Sequence, residues 1–129
     1  MAEIKILIGE ESREIALKCY NAASKFGYNA KICTAVENAL FAEIQNLKPD
    51  FVLCSAFMAE GGAAGLIKRT KRIGKEPFFI VTSTYKNFDT EKEIMAFLNA
   101  YFILEPFELS ALVNSIQRMV EYNMRNFSV

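Results

Sequence analysis

Short apolar runs alternate with longer amphipathic stretches five times along this chain, and this alternation limits the possible folds more than any other feature. The strand-like runs are 4–8, 30–34, 51–54, 78–81 and 101–104, and apolar residues recur at helical spacing in 11–26, 36–47, 63–73, 89–98 and 108–125. Strict alternation of this kind favours a parallel sheet with helices on both faces, joined by right-handed crossovers. We therefore predict an α/β fold with a five-stranded, doubly wound parallel sheet, formed as a single domain over residues 1–129.

Composition excludes several classes of function. The 15 Lys and Arg residues balance the 15 Asp and Glu residues, which argues against nucleic acid as a partner of this domain because phosphate binding usually needs a basic excess. There is no histidine, so a histidine base, metal ligand or phosphoryl donor is excluded within this chain. Cys19, Cys33 and Cys54 lack metal-type spacing and indicate small buried side chains in a reducing compartment. No secretory signal is visible and the apolar runs are too short to span a membrane, so we expect a cytoplasmic protein with no membrane partner.

Polar residues follow four of the five predicted strands. In parallel sheets of this type, functional side chains gather at the carboxyl ends of the strands. Chemistry is therefore expected in four loops of this chain. They carry Glu10 and Glu11, then Ser55, then Thr82 and Ser83, and finally Glu105 and Pro106.

These strand ends resemble, in order and spacing, the receiver domain of bacterial response regulators. The resemblance covers nearly the whole chain, and three segments carry it most clearly: Glu10–Glu14, Pro49–Leu53 and Ala100–Glu108. The last of these is similar to the fifth strand and following turn of sporulation-type receivers. The resemblance implies a flavodoxin-like, CheY-like fold with strand order 2-1-3-4-5, and a role in two-component or phosphorelay signalling.

Working receivers, as the family implies, use two acids after the first strand and an aspartate at the end of the third. Together these hold Mg²⁺, and the aspartate accepts a phosphoryl group from a phosphohistidine. A hydroxyl after the fourth strand and a lysine before the proline of the fifth then bind the phosphoryl oxygens. Here Glu10 and Glu11 match the acidic pair and Thr82 matches the hydroxyl, but Ser55 stands at the acceptor position and Glu105 at the lysine position.

These two replacements predict that aspartyl-phosphate chemistry is absent. A serine hydroxyl is neutral and needs a base before it becomes a nucleophile. Glu105 puts an anion where a cation would pair with phosphoryl oxygens, and like charges ~4 Å apart repel by about 4 kcal/mol at an effective dielectric near 20. We expect no bound metal, with Glu10 and Glu11 as the weak candidates for Mg²⁺ or another divalent cation.

Each candidate residue also has a simpler interpretation. The two glutamates suit the start of a helix, where acids are favoured, or a partner contact. Ser55 can fill a small space, Thr82 can bond locally, and Phe102, at the switch-aromatic position of the family, can be core packing. The resemblance implies a cis bond before Pro106. The basic run 68–72 is expected to be a solvated helix face rather than an anion site.

The sequence as a whole predicts a pseudo-receiver that is not an enzyme. It is expected to act through phosphorylation-independent protein–protein interaction, in sporulation control by resemblance. The expected partner is a histidine kinase, a phosphotransferase, a response regulator or a second copy bound through helix 4, strand 5 and helix 5. Two alternatives stay open: a phosphotransfer-competent receiver that uses Mg²⁺ and a non-standard acceptor, and a small-ligand sensor that uses the altered pocket.

Overall fold

The computed structural model describes residues 3–33, 36–58, 61–74, 76–84 and 87–104, together with positions 114, 117, 118 and 121. Strands and helices alternate along the described part of the chain, as the sequence predicts. The strands are β1 (Lys5–Gly9), β2 (Asn29–Ile32), β3 (Phe51–Ser55), β4 (Phe78–Ser83) and β5 (Ala100–Leu104). The helices are α1 (Arg13–Lys25), α2 (Glu37–Leu47), α3 (Gly62–Arg72) and α4 (Phe88–Met95).

All five strands pair in parallel, in the order β2-β1-β3-β4-β5. This confirms the predicted five-stranded α/β sheet and its strand order. The first four residues of β3 are buried without exception, in line with a central strand covered on both faces. Most of the predicted fifth helix lies outside the described residues, although positions 114, 117, 118 and 121 are helical.

Two apolar cores lie on opposite faces of the sheet, because successive strand residues point to opposite sides. On one face α2, α3 and α4 bury side chains such as Leu40, Leu66 and Ile94. On the other face α1 packs Ala16 and Cys19 against the sheet. The three central strands are thus held from both sides, which fixes the positions of their carboxyl ends.

The end of β1 passes directly beneath α2. Gly9 is the last residue of β1, and a Cβ placed on it would lie 2.6 and 2.7 Å from the two methyl carbons of Leu40. Leu40 is completely buried. This close approach brings the following residue, Glu10, to the carboxyl edge of the sheet.

The caps of the first and last described helices differ in how well the sequence predicts them. Ser12, which the sequence pattern did not single out, caps α1 by accepting a hydrogen bond from the Ile15 amide. Gly27, the glycine that the sequence predicts to end this helix, follows it at a φ of 83°. The helical spacing over residues 89–98 predicts a fourth helix that is capped by Asp89 or Thr90 and runs to residue 98, and both ends of this prediction are wrong. Asn87 is the cap, its side chain accepts from the Thr90 amide, and α4 ends at Met95, because Asn placed just before the helix supplies the acceptor oxygen that its free amides need.

The two edges of the sheet have different character. At one edge, β2 has only four residues, and its Lys31 forms a 3.0 Å ion pair with Glu43 of α2. At the other edge, Tyr101 and Leu104 of β5 expose apolar surface. Among the helices described here, none is long and apolar enough to cross a bilayer.

Candidate functional site

Three strand ends meet at the carboxyl edge of the sheet and define the candidate site. In the pairing of β1, β3 and β4, Gly9 stands opposite Cys54 and Ser55 stands opposite Thr82. Glu10, the next residue after β1, therefore lies on one side of Ser55 and Thr82 lies on the other. The structure thus brings together three of the predicted site residues.

Glu10 connects the first and fourth strands across the end of the third. One oxygen of its carboxylate, Oε2, accepts a hydrogen bond of 3.4 Å from the Thr82 hydroxyl. The other oxygen, Oε1, accepts from the backbone amide of Ser12 at 3.3 Å. Both bonds are long and therefore weak, but together they direct the half-buried carboxylate into the site.

Glu11 is separated from Glu10 in this arrangement. Its side chain is exposed, whereas Glu10 turns towards β4. In the part of the chain that the structure describes, no three Asp, Glu, Cys or His side chains come together in a group that could hold a metal ion. Glu10 is the one of the pair that reaches the other site residues.

Ser55 ends β3 with its hydroxyl engaged locally. Its Oγ accepts a hydrogen bond from the amide of Phe57 at 3.4 Å. Both backbone polar groups of the next residue, Ala56, are hydrogen-bonded. Its amide donates to the Thr82 carbonyl at 2.7 Å, and its carbonyl accepts from the Ala63 amide at 3.2 Å. The residues that follow Ser55 are therefore hydrogen-bonded both to β4 and to the first turn of α3.

Thr82 is buried, whereas Phe102 is half-buried and lies elsewhere. In the β4–β5 pairing, Phe102 stands opposite Val81 and packs against the core under α2, α3 and α4. Thr82 stands opposite Ile103, and neighbouring strand positions face opposite sides of a sheet. The hydroxyl and the aromatic ring at the two switch positions therefore point to different faces, and the core contact of Phe102 agrees with its simpler interpretation.

The thiols of Cys54 and Cys33 are held in the protonated form. Burial, and after it the nearby charge of Glu10, together raise the pKa of Cys54 to about 12. Cys33 has its pKa raised to about 11, first by burial and then by the charge of Glu43. Thiols with such pKa values stay protonated near neutral pH, so they supply no thiolate nucleophile.

Glu105 and Pro106 lie outside the described residues. The repulsion assigned to Glu105 and the cis bond before Pro106 accordingly stay predictions from the sequence.

An ion pair beside the site was missed by the sequence analysis. Arg69 of α3 forms a 3.2 Å salt bridge with Glu37, which is buried although it begins α2. The basic run of α3 is thus only partly a solvated face: Lys68, Lys71 and Arg72 are exposed, and Arg69 is not. The available signal was the pair of glycines, Gly61 and Gly65, one helical turn apart, which leaves room for a side chain from a neighbouring helix.

A surface groove of about 160 Å³ lies at the opposite, amino edge of the sheet. Lys5, Asn29 and Lys31 line it together with Leu47 and Pro49. It shares no residue with the candidate site, so it gives no support to a ligand bound at the carboxyl edge.

No protein-family model and no curated protein matches this sequence, but solved structures of the same fold do. A CheY-like receiver domain protein from Methanospirillum hungatei has a TM-score of 0.85 at 17% identity, over 97% of this chain and 99% of that chain. A response regulator from Thermotoga maritima has a TM-score of 0.79 at 25% identity, over 93% and 99% of the two chains. The chemotaxis response regulator CheY4 of Vibrio cholerae has a TM-score of 0.80 at 16% identity, over 91% and 98%. The chain therefore has the fold of response regulator receiver domains, which are signalling modules.

Proposed function

We propose that this chain is a pseudo-receiver: a signalling module of a two-component or phosphorelay system that acts by protein–protein contact without being phosphorylated. The observation that carries the proposal is Ser55 at the end of β3, between Glu10 and Thr82. The chain has no histidine, and the described acid nearest along the sheet edge, Glu10, accepts from the Thr82 hydroxyl. A carboxylate is a poor base for an alcohol, because the two pKa values lie far apart.

The electrostatics of the site support the same function. A divalent cation of the magnesium type needs several oxygen ligands in octahedral array. Glu10 supplies one carboxylate, Glu11 is exposed, and Ser55 offers a neutral oxygen in place of a charged one. Ser55 is thus a weaker nucleophile than a carboxylate. The same replacement lowers the affinity of the site for the metal ion that would activate phosphoryl transfer.

Exposed apolar side chains on two adjacent elements provide the surface for a partner. We call this the α4–β5 face; it comprises Phe88 and Met95 of α4, Leu98 of the turn that follows and Leu104 of β5. Leu98 is 99% exposed and Phe88 is 74% exposed, and large apolar side chains left in water favour a partner that covers them. The α4–β5 face is where we place the contact that carries the signal.

A second copy of the chain is the occupant that we propose for the α4–β5 face. Two copies related by a two-fold axis would present the same apolar side chains to each other, so the surface can match itself. A histidine kinase, a phosphotransferase or a response regulator is the alternative occupant. The setting in sporulation control is proposed from the resemblance of residues 100–108 to sporulation-type receivers.

Incubation with acetyl phosphate and Mg²⁺, followed by intact-mass measurement, tests the first part of the proposal. We expect no added phosphoryl group. A stoichiometric adduct that disappears in Ser55→Ala would instead identify a phosphotransfer-competent receiver with serine as the acceptor.

Sedimentation over a range of protein concentrations tests the second part. We expect a reversible dimer that Leu98→Glu weakens at least about tenfold, since a buried charge without a partner is strongly unfavourable. Leu17→Glu is the matched control, because Leu17 is also an exposed leucine but lies on α1, on the other face of the sheet. A monomer at all concentrations, or equal effects of the two substitutions, would contradict a dimer through the α4–β5 face.

A further inference from the structure

A buried carboxylate joins α2 to α3 beside the candidate site. Glu37 is the first residue of α2 and is only 6% exposed. Its Oε1 lies 3.2 Å from Nη1 of Arg69 on α3, and the same nitrogen donates to Oδ1 of Asn38 at 2.6 Å. The guanidinium carbon of Arg69 also lies 4.1 Å from the centroid of the Phe41 ring. One arginine is thus held by three side chains of α2, through a charge, a hydrogen bond and a cation–π contact.

The start of α3 is shaped to receive this carboxylate. A Cβ on Gly61 would lie 2.8 Å from Oε2 of Glu37, and a Cβ on Gly65 would lie 3.4 Å from Oε1. Gly61 also has a φ of 142°, a conformation that side chains oppose. The two glycines let the backbone of α3 rest directly on the Glu37 side chain.

The same turn of α3 is bonded to the segment that follows Ser55. The Ala63 amide donates to the carbonyl of Ala56 at 3.2 Å. A Cβ on Gly62 would lie 2.7 Å from that carbonyl oxygen. The contacts therefore run without a break from Glu37, through the first turn of α3, to the residue next to Ser55.

We infer that Glu37 and Arg69 are positioning residues that hold the start of α3, and through it the turn after Ser55, in one fixed conformation. This inference rests on the proposed function and deepens it. A module that signals without phosphorylation does not require this turn to change conformation. With the turn fixed, the signal depends on contacts made by the α4–β5 face. The Glu37–Arg69 ion pair keeps the turn after Ser55, the residue at the phospho-acceptor position, rigid.

Amide hydrogen exchange of the full chain, resolved by residue with NMR, tests the inference. In Glu37→Gln we expect exchange of the Ala63 amide to rise about tenfold or more, because an ion-paired partner of Arg69 is lost. Arg69→Lys keeps the charge and is expected to raise it by a smaller factor. Glu43→Gln is the matched control, since it breaks the other α2 ion pair, to Lys31, and we expect Ala63 to stay within about twofold of the parent protein.

The pattern of amide exchange rates in Glu37→Gln distinguishes a local positioning role from a general loss of stability. Exchange of the Ala56 and Ala63 amides should rise while the amides of β1 keep their rates, and the dimer affinity should be unchanged in Glu37→Gln. Unchanged exchange at Ala63, or a uniform rise over the whole sheet, would overturn the inference. If the parent protein forms no dimer, that result contradicts the proposed function. The exchange rates of Ala56 and Ala63 can still be measured in the monomer, so the two failures are distinguishable.

Discussion

Replacing Gly9 by alanine tests how tightly β1 and α2 pack next to the candidate site. The new methyl group would lie 2.6 Å from a methyl carbon of Leu40, about 1 Å closer than the ~3.5–4.0 Å at which carbon atoms normally meet. Leu40 is completely buried within the core, so moving its side chain requires its neighbours to repack, and the cost is expected near the upper end of the ~1–3 kcal/mol for overpacked cores. The substitution also stiffens the unfolded chain, which returns ~0.4–1 kcal/mol. We expect the free energy of unfolding to fall by about 2 kcal/mol.

Urea unfolding of a double-mutant cycle measures this effect and supplies its control. Leu40→Ala alone should cost ~2–5 kcal/mol, because it leaves a cavity in the core. Combined with Gly9→Ala, the shortened side chain makes room for the added methyl, so the double variant should lose at least ~1 kcal/mol less than the sum of the two single losses. Additive losses, or a Gly9→Ala protein within ~0.5 kcal/mol of the parent, would refute the close packing on which the magnitude rests.

Two further predictions concern the cap of α4 and the thiol of Cys54. Asn87→Ala should lower the free energy of unfolding by ~1 kcal/mol in urea titrations, and Asp89→Ala by less than half of that; the reverse order would contradict the cap. Because the pKa of Cys54 is raised from 9.0 to about 12 in the folded protein, the unfolded chain loses this proton first as pH rises. Stability from this group is therefore fully present below pH 9 and is lost between about pH 9 and pH 12. Cys54→Ala should make the alkaline decline shallower, and identical declines would count against the shift.

The parallel sheet and the placement of Ser55 and Thr82 at strand ends could be anticipated from the sequence for a physical reason, whereas the strand order was implied by the family resemblance. Runs such as Phe51–Cys54 are apolar at every position, which only a strand covered on both faces tolerates. Ser55 and Thr82 then fall at strand ends by counting alone, and their pairing in the sheet confirms that placement. Periodicity and resemblance were enough to predict the strands and the residues at their ends, because both report on the path of the backbone.

Side-chain choices between elements were not accessible in the same way. Glu10 and Glu11 are chemically identical and adjacent, so composition and spacing do not distinguish them, and it is the folded structure that shows Glu10 accepting from Thr82. Arg69 is one of several basic residues on α3, and its burial depends on Glu37, 32 positions earlier in the chain. Such contacts depend on how two helices approach each other, which local sequence patterns do not encode.

The contrast between the two borders of the sheet bears on the size of any assembly. At one border, Lys31 of β2 forms an ion pair with Glu43 of α2, and a charged side chain on an edge strand opposes the addition of a further strand. At the other border, β5 exposes the apolar side chains of Tyr101 and Leu104. A two-fold contact that uses the same surface on both copies closes on itself, whereas pairing at both borders of the sheet would extend into a fibre. The proposed dimer through the β5 border would therefore stop at two copies, because the lysine at the β2 border opposes a further strand.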